Sequence, residues 1–421
     1  MQCYILFRYT QKHICNATYF LDIPKNIYAM LHIPHCGIMA VAKLPFKVGI
    51  PVEDEYFIDR ESELKELEQH ISSHSNVCLL GLRRVGKTSL LRRAIRDMQD
   101  VVMVYVDCHG VTDKRTLAGK IANEIKDAYI ERTGDGKFRD AIAKHLKAGW
   151  DKIAFRLVEM ELEIGGYFRV RMGIGKKEVD AEELFESALG YADILGKTKE
   201  KRFVIIFDEF QDIGTSWKDD DIKRLRAIVQ RQKHVGYIFC GSSPTFMSSL
   251  VDNRDAPFYR QLEKIRVGPL PEEAARTFIE SRFHVCGYDI SNEALETMLA
   301  LTRCIPDYVQ RLGAAAANMT KKIDNTVVSK AYEQVLLKMD SEFRNLLSSL
   351  GQRSPTYTPI LIGFSRHNTI AEASRAVGYD LKKSTRQLAY LQNIGLLEKA
   401  GRGDYEITDP VFKDWLQRNF S

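Results

Sequence analysis

Apolar residues in this chain recur with two periods, and the switches between them outline a fold. Near residue 59, "DRESELKELEQHI" repeats its apolar positions every three to four residues, which predicts an amphipathic helix with Asp59 as N-cap. The stretch "NVCLLG" is short and continuously apolar, as in a strand buried on both faces. A helix "TSLLRRAIRDM", a second buried strand "VVMVYVDC" and a helix "DKRTLAGKIANEIKDAYIER" follow. Later come a helix "DAEELFESALGYADIL", the most apolar strand "RFVIIFD", a helix "DDDIKRLRAIVQRQK", a strand "GYIFCG" and a last short strand in "KIRVGPL". Buried strands alternating with amphipathic helices predict an α/β domain, a five-stranded parallel sheet covered on both faces.

The alternation is interrupted once and then ends. After a long helical pattern from Ala141 to Met160, "ELEIGGYFRVRMGIGKK" alternates with period two around Gly165-Gly166, which predicts an inserted hairpin near 160–176. Beyond Pro271 the pattern is helical to about Met339, a small helical lid domain. The chain from 340 to 421 reads as helices, a two-stranded turn "LLEKAGRGDYEIT" and a final helix, the order of a winged helix-turn-helix. The predicted domains are therefore 49–270, 271–339 and 340–421. Residues 1–48 hold short apolar pieces without a sustained period. Two readings stand for them: upstream sequence before a start at Met39, or a metal site using His13, Cys15, His32, His35 and Cys36, whose spacing fits no common zinc motif.

Composition changes this picture little. The 421 residues are 45% apolar and 28% charged, as in a globular protein, and a net charge of +5 is too small and too interspersed to demand a nucleic-acid partner. Eight cysteines without a Cys-x-x-Cys pair, several in apolar strands, are placed like buried free thiols of a reducing compartment, so the cytoplasm is expected. No run approaches the roughly 18 apolar residues of a membrane span, and the opening residues lack the pattern of a secretory signal.

Chemistry enters between the first strand and its helix. Gly81, four residues, then Gly86-Lys87-Thr88 meet the P-loop pattern in its strand-loop-helix setting. Glycines let backbone N–H groups turn inward around phosphate oxygens, and the helix N-terminus adds partial positive charge. The run Gly81, Leu82, Arg83, Arg84, Val85, Gly86, Lys87, Thr88, Ser89 is thus the candidate nucleotide-binding loop, with Lys87 for the β and γ phosphates and Thr88 for Mg²⁺. Arg83 and Arg84 fall where side chains point away from the ligand, which suggests a structural or subunit-facing pairing with acids. Asp208 and Glu209 end the strand "RFVIIF", Asp208 to hold Mg²⁺ and Glu209 to activate water. Ser242 or Ser243, at the end of another strand, would position that water or sense the γ-phosphate; the alternative is that the serine caps the next helix.

With these residues in hand, "GLRRVGKTSLL", "FVIIFDEFQD", "IFCGSS" and the opening box "FIDRE" resemble the archaeal ATPase family of P-loop proteins, in the STAND branch of the AAA+ class. The resemblance spans about residues 53–420. It implies ATP with Mg²⁺ bound between sheet and lid, and a slow ATPase that works as a molecular switch. It also implies an arginine that senses or acts on the γ-phosphate, here Arg260 in "APFYRQLEKI", with Arg254 a weaker match. A further implication is a proline beside the adenine, Pro306, whose plainer role is to start a helix at N1. The family's glycines next to both segments are absent here.

The C-terminal unit leaves DNA contact and protein docking or self-association open. Lys382, Lys383, Arg386, Lys399 and Arg402 suit phosphates, but Asp380, Glu398, Asp404, Glu406 and Asp409 are interleaved with them. An origin-recognition-like DNA-binding ATPase and a non-hydrolysing nucleotide-dependent interaction module are the competing readings.

Overall fold

The structure, a computed structural model, describes residues 44–52, 54–98, 100–134, 160–162, 168–170, 180–214, 217–401 and 403–420. The expectations for residues 1–43, for the helical pattern from 141 and for Arg402 concern residues outside these. Its first part runs α1 (Glu61–Ser72), β1 (Asn76–Leu80), α2 (Lys87–Asp97), β2 (Val101–Asp107), α3 (Lys114–Thr133), β3 (Met160–Leu162), β4 (Phe168–Val170) and α4 (Ala181–Lys199). β5 (Arg202–Asp208), the short α5 (Gln211–Gly214), α6 (Asp219–Arg231), β6 (Val235–Gly241), α7 (Pro244–Ser249) and β7 (Leu262–Arg266) complete it.

Five strands form one parallel sheet in the order β2-β5-β6-β1-β7. Side chains alternate across it. Val102, Val104, Phe203, Ile205 and Phe207 pack into the core under α3, α4 and α6, while Val101, Met103, Val204 and Ile206 pack into the one under α1 and α2. Burial on both faces is why these strands read as unbroken apolar runs. The inserted alternating segment supplies β3 and β4, which pair antiparallel with Met160 opposite Val170.

The second part comprises α8 (Glu272–Val285), β8 (Asp289–Ile290), α9 (Asn292–Thr302), α10 (Pro306–Ala317), β9 (Lys322–Ile323) and α11 (Asn325–Arg353). Then follow α12 (Tyr357–Arg366), α13 (Ile370–Val377), α14 (Thr385–Asn393), the antiparallel β10 (Leu397–Gly401) and β11 (Asp404–Ile407), and α15 (Pro410–Asn419). The expected boundary at 339/340 is corrected here. It falls inside α11, whose buried stripe Val335, Met339, Phe343, Leu347 and Leu350 continues across it. One apolar core accordingly joins the lid residues Phe283 and Leu312 to Phe412 and Leu416 of the C-terminal unit.

Two further corrections concern the start of the described chain. Asp59 does not cap α1: Arg60 occupies the N-cap, in the left-handed region at φ 83°, without a side-chain cap bond. Residues 44–48, expected to lie outside the domains, belong to the same compact unit as the rest. Phe46 is buried edge-on against Phe283, ring centroids 4.9 Å apart, and over Gly313, where an added Cβ would come 2.5 Å from its ring. The Arg282 guanidinium donates to the carbonyls of Leu44 (3.0 Å) and Pro45 (2.8 Å), and the Lys47 N–H to Gln310 Oε1 (3.0 Å). The strap at residues 44–52 thus ties the lid to the sheet domain. Phe46→Ala should destabilise the lid by about 3–5 kcal/mol, the usual cost of emptying a buried phenylalanine site. Faster amide exchange in α8 and α10 would show it.

Candidate functional site

The site forms where β1 and β5 end. Gly81 leaves β1 pressed against the neighbouring strand, and a Cβ there would sit 2.3 Å from the Val267 carbonyl oxygen. Gly86, at φ 93°, is the N-cap of α2 in a conformation that side chains disfavour. Between them Arg84 is also left-handed, at φ 69°. Lys87 is buried, and its ammonium donates to the carbonyls of Gly81 and Leu82, 2.8 Å each, so the charge stands at the mouth of the loop.

Opposite the loop, Thr88 Oγ1 donates to Asp208 Oδ2 at 2.9 Å, and the Glu209 N–H donates to Asp208 Oδ1 at 3.0 Å. The Tyr105 hydroxyl, from β2, donates to the same Oδ2. Burial first, then the adjacent Asp208 charge, pushes the Tyr105 phenol far above its ordinary range, so it remains a donor.

Glu209 has a left-handed backbone, φ 51°, at the strand end. Its Oε2 accepts from Ser242 Oγ at 2.7 Å and from Gln211 Nε2. Gln211 also donates to Ser242 Oγ (3.1 Å) and accepts from the Ser242 N–H (3.1 Å), closing a buried three-residue network. Burial alone would raise the Glu209 carboxyl. The Lys87 charge, the bonds from Ser242 and Gln211 and the Arg83 charge outweigh it, and the group lies below the usual range, ionised at neutral pH. Of the two serines, Ser242 joins the carboxylate, whereas Ser243 caps α7 by accepting from the Phe246 N–H at 3.2 Å.

A cavity of about 300 Å³ extends from the loop toward the lid. Gly86, Lys87, Thr88 and Glu209 line it together with the apolar Ile50, Val52, Phe57, Ile58 and Pro306 and the polar Lys47, Arg60, Asp307 and Arg311. A mixed lining of this kind suits a ligand that carries both a charged and an apolar part. Pro306 lines this cavity and opens α10, the helix start expected for it.

The other loop residues are held by contacts with the rest of the protein. Val85 is packed in the core, and Ser89 Oγ accepts from the Val52 N–H at 3.1 Å, holding the strap. Arg83 is exposed. Arg84 turns away into a cage of acids. It pairs with Asp307 (2.9 Å), Asp409 (3.6 Å) and Glu342, and its guanidinium lies over the Tyr308 ring at 5.3 Å. The pairing with acids expected for this arginine is therefore made within the chain, to the lid and the C-terminal unit. Burial pushes the Asp409 carboxyl above its usual range despite the Tyr308 hydrogen bond and the Arg84 charge. Arg60 braces the loop from the other side, bonding Glu63 at 2.7 Å, the Val85 carbonyl at 3.4 Å and the Gly268 carbonyl.

Arg260 is not brought to the site. It is exposed, at φ 58°, with its guanidinium 5.2 Å from the Tyr259 ring centroid, and neither it nor the exposed Arg254 lines the cavity. The reason is local: the turns between α7 and β7 direct both side chains outward to solvent. Gln211, Tyr105 and the strap at 50–52 were missed from sequence. Gln211 stood in view beside Asp208-Glu209, but nothing in the strap's pattern signals a pocket wall.

A model of an ATPase domain predominantly from Archaea matches residues 57–312, more than half of the chain. No curated protein sequence matches. Among solved structures, the Walker-type ATPase PABY2304 of Pyrococcus abyssi is similar at 18% identity and a TM-score of 0.63, over 89% of this chain and 99% of that one. The Aeropyrum pernix ORC2 protein, solved as ADPNP–ADP complexes, is similar at 14% identity and a TM-score of 0.51, over 89% and 97%. At these identities both share the fold.

Arg84→Ala would leave three carboxylates facing one another. The group is only partly buried, so the cost lies between the ~1 kcal/mol of a surface pair and the ~3 kcal/mol of a buried one, and a lower urea midpoint is expected. Arg83→Ala should leave the midpoint unchanged, and both variants should keep their ATP affinity, measured by calorimetry, because backbone amides rather than these side chains face the loop.

Proposed function

The chain belongs to the family of ATPase domains found predominantly in Archaea, and from that premise we propose a Mg²⁺-dependent ATPase that works as a nucleotide-controlled switch. The observation that supports this most is that Thr88 bonds Asp208 while Lys87, Thr88 and Glu209 line one cavity with Ile50, Val52 and Pro306. Lys87 and the loop amides hold the β and γ phosphates, and the adenine lies toward Ile50, Val52 and Pro306.

The residues present fit Mg²⁺. A hydroxyl and a carboxylate 2.9 Å apart are hard oxygen donors. Among the described residues no group of three or more His, Cys, Asp or Glu side chains could hold a metal. That suits an ion shared with substrate phosphates better than one caged by protein. Bound there, Mg²⁺ supplies charge neutralisation to the phosphates. Glu209, ionised, accepts the proton of the attacking water, and Ser242 and Gln211 orient its carboxylate. Chemistry of this kind is mainly positioning and charge stabilisation. Arg260 and Arg254 do not line the cavity, so turnover is slow until a partner or second copy brings such an arginine to the γ-phosphate.

The switch reading, which the STAND resemblance also implies, draws support from two contacts. Gly395, at φ 71° after α14, lies so close to the end of β6 that a Cβ would come 2.5 Å from the Ser242 carbonyl oxygen. Arg84 meets Asp409 at the N-cap of α15. The C-terminal unit, read as a winged helix, is thereby attached at both ends of the catalytic network. A DNA-binding reading is favoured by one observation: Lys382, Lys383 and Arg386 are all exposed around the start of α14. Protein docking through the same face is the other outcome. No helix among the described residues is long and apolar enough to cross a membrane; the cytoplasm is proposed from the free-thiol pattern.

Glu209→Gln should retain ATP binding and lose phosphate release by about 10²-fold or more, the scale of losing general base catalysis; unchanged turnover would refute the assignment. If α14 contacts DNA, duplex affinity should fall linearly in a log–log plot against salt, and Lys382→Ala with Lys383→Ala should flatten that slope; salt-independent binding points to protein docking.

A further inference from the structure

Asp208 is held from three sides. Oδ1 accepts the Glu209 N–H, and Oδ2 accepts both Thr88 Oγ1 and the Tyr105 hydroxyl. The Cys240 thiol also hydrogen-bonds this side chain, so the donors crowded around the carboxylate fix how it is turned. Tyr105 reaches this position through strand register. It pairs with Ile206 on β5, two residues before Asp208, and its side chain lies on the same face as Val101 and Met103. A phenylalanine would fill that stripe equally well. The hydroxyl is the one part of the side chain that packing does not explain, and its bond goes to Asp208.

We propose that Tyr105 is a positioning residue that fixes the Asp208 carboxylate for binding Mg²⁺ with ATP, and so sets the Mg²⁺ requirement of the site. The proposal rests on the Mg²⁺-dependent reading above. Thr88 alone does not suffice for this task. Its hydroxyl is itself a donor atom for the metal, so it both ligates and orients, whereas Tyr105 contacts only the carboxylate. Removing Tyr105 frees Asp208 to rotate about its side chain, and the ordered direction is lost. Removal also leaves more negative charge on Oδ2, which by itself would favour a cation. Loss of orientation outweighs that effect, because outer partners of metal ligands typically cost 10–100-fold in affinity when removed.

The test is Tyr105→Phe in the full chain, with a fluorescent ATP analogue bound first in EDTA and then under rising Mg²⁺. The expected result is unchanged affinity in EDTA, an unchanged melting temperature in EDTA, and a Mg²⁺ half-saturation point about tenfold higher than the parent's. In an Asp208→Asn background the same substitution should add nothing. An unchanged or lower Mg²⁺ half-point overturns the proposal. So does equal weakening with and without Mg²⁺, or a variant that fails to fold, since either makes Tyr105 a structural residue. So does an effect that adds fully to that of Asp208→Asn. A parent protein whose ATP binding ignores Mg²⁺ would instead remove the metal reading itself, and this proposal with it.

Discussion

A loop that binds phosphate must turn its amides inward, and that constraint organises this molecule. Inward amides force backbone into the left-handed region, accepted by Gly86 at φ 93° and imposed on Arg84 at φ 69°. The close approach of β7 excludes any side chain at Gly81. Strain of this kind persists only where the surroundings over-determine it. Arg60 supplies that support from one flank and the acid cage around Arg84 from the other.

The same supports make the three parts of the chain interdependent. Arg84 answers to Asp307 on α10, Glu342 on α11 and Asp409 before α15. α11 runs unbroken from lid to C-terminal unit, so Arg84 is tied to both. On the opposite side of the site, Ser242 holds Glu209 through its hydroxyl and supports Gly395 through its carbonyl. Buried polar networks of this kind tolerate few arrangements.

Much of the fold was legible because burial on both faces writes itself as unbroken apolar strands, and helices on those faces as a 3.6 period. The loop, Asp208 and Glu209 were legible because their spacing carries chemistry. Misreadings fell where pattern and structure separate. Asp59 has the right side chain for an N-cap, yet Arg60 takes the position because its guanidinium is needed beneath the loop. The boundary at 339/340 followed a change in composition that α11 does not share. Arg260 matched a segment by type, but its turn faces solvent.

By itself the sequence determined the layered sheet, the phosphate loop and the acids that face it, because period and local motif are properties of neighbouring residues. Only the tertiary structure decided that Gln211 and Ser242 share one carboxylate, that Tyr105 reaches Asp208 across a strand, and that Arg84 finds its acids 223 and more residues away. It also decided that the strap at 44–52 closes the cavity. Those contacts join residues distant along the chain, and no local period encodes which of many charged or aromatic side chains will meet once the layers pack.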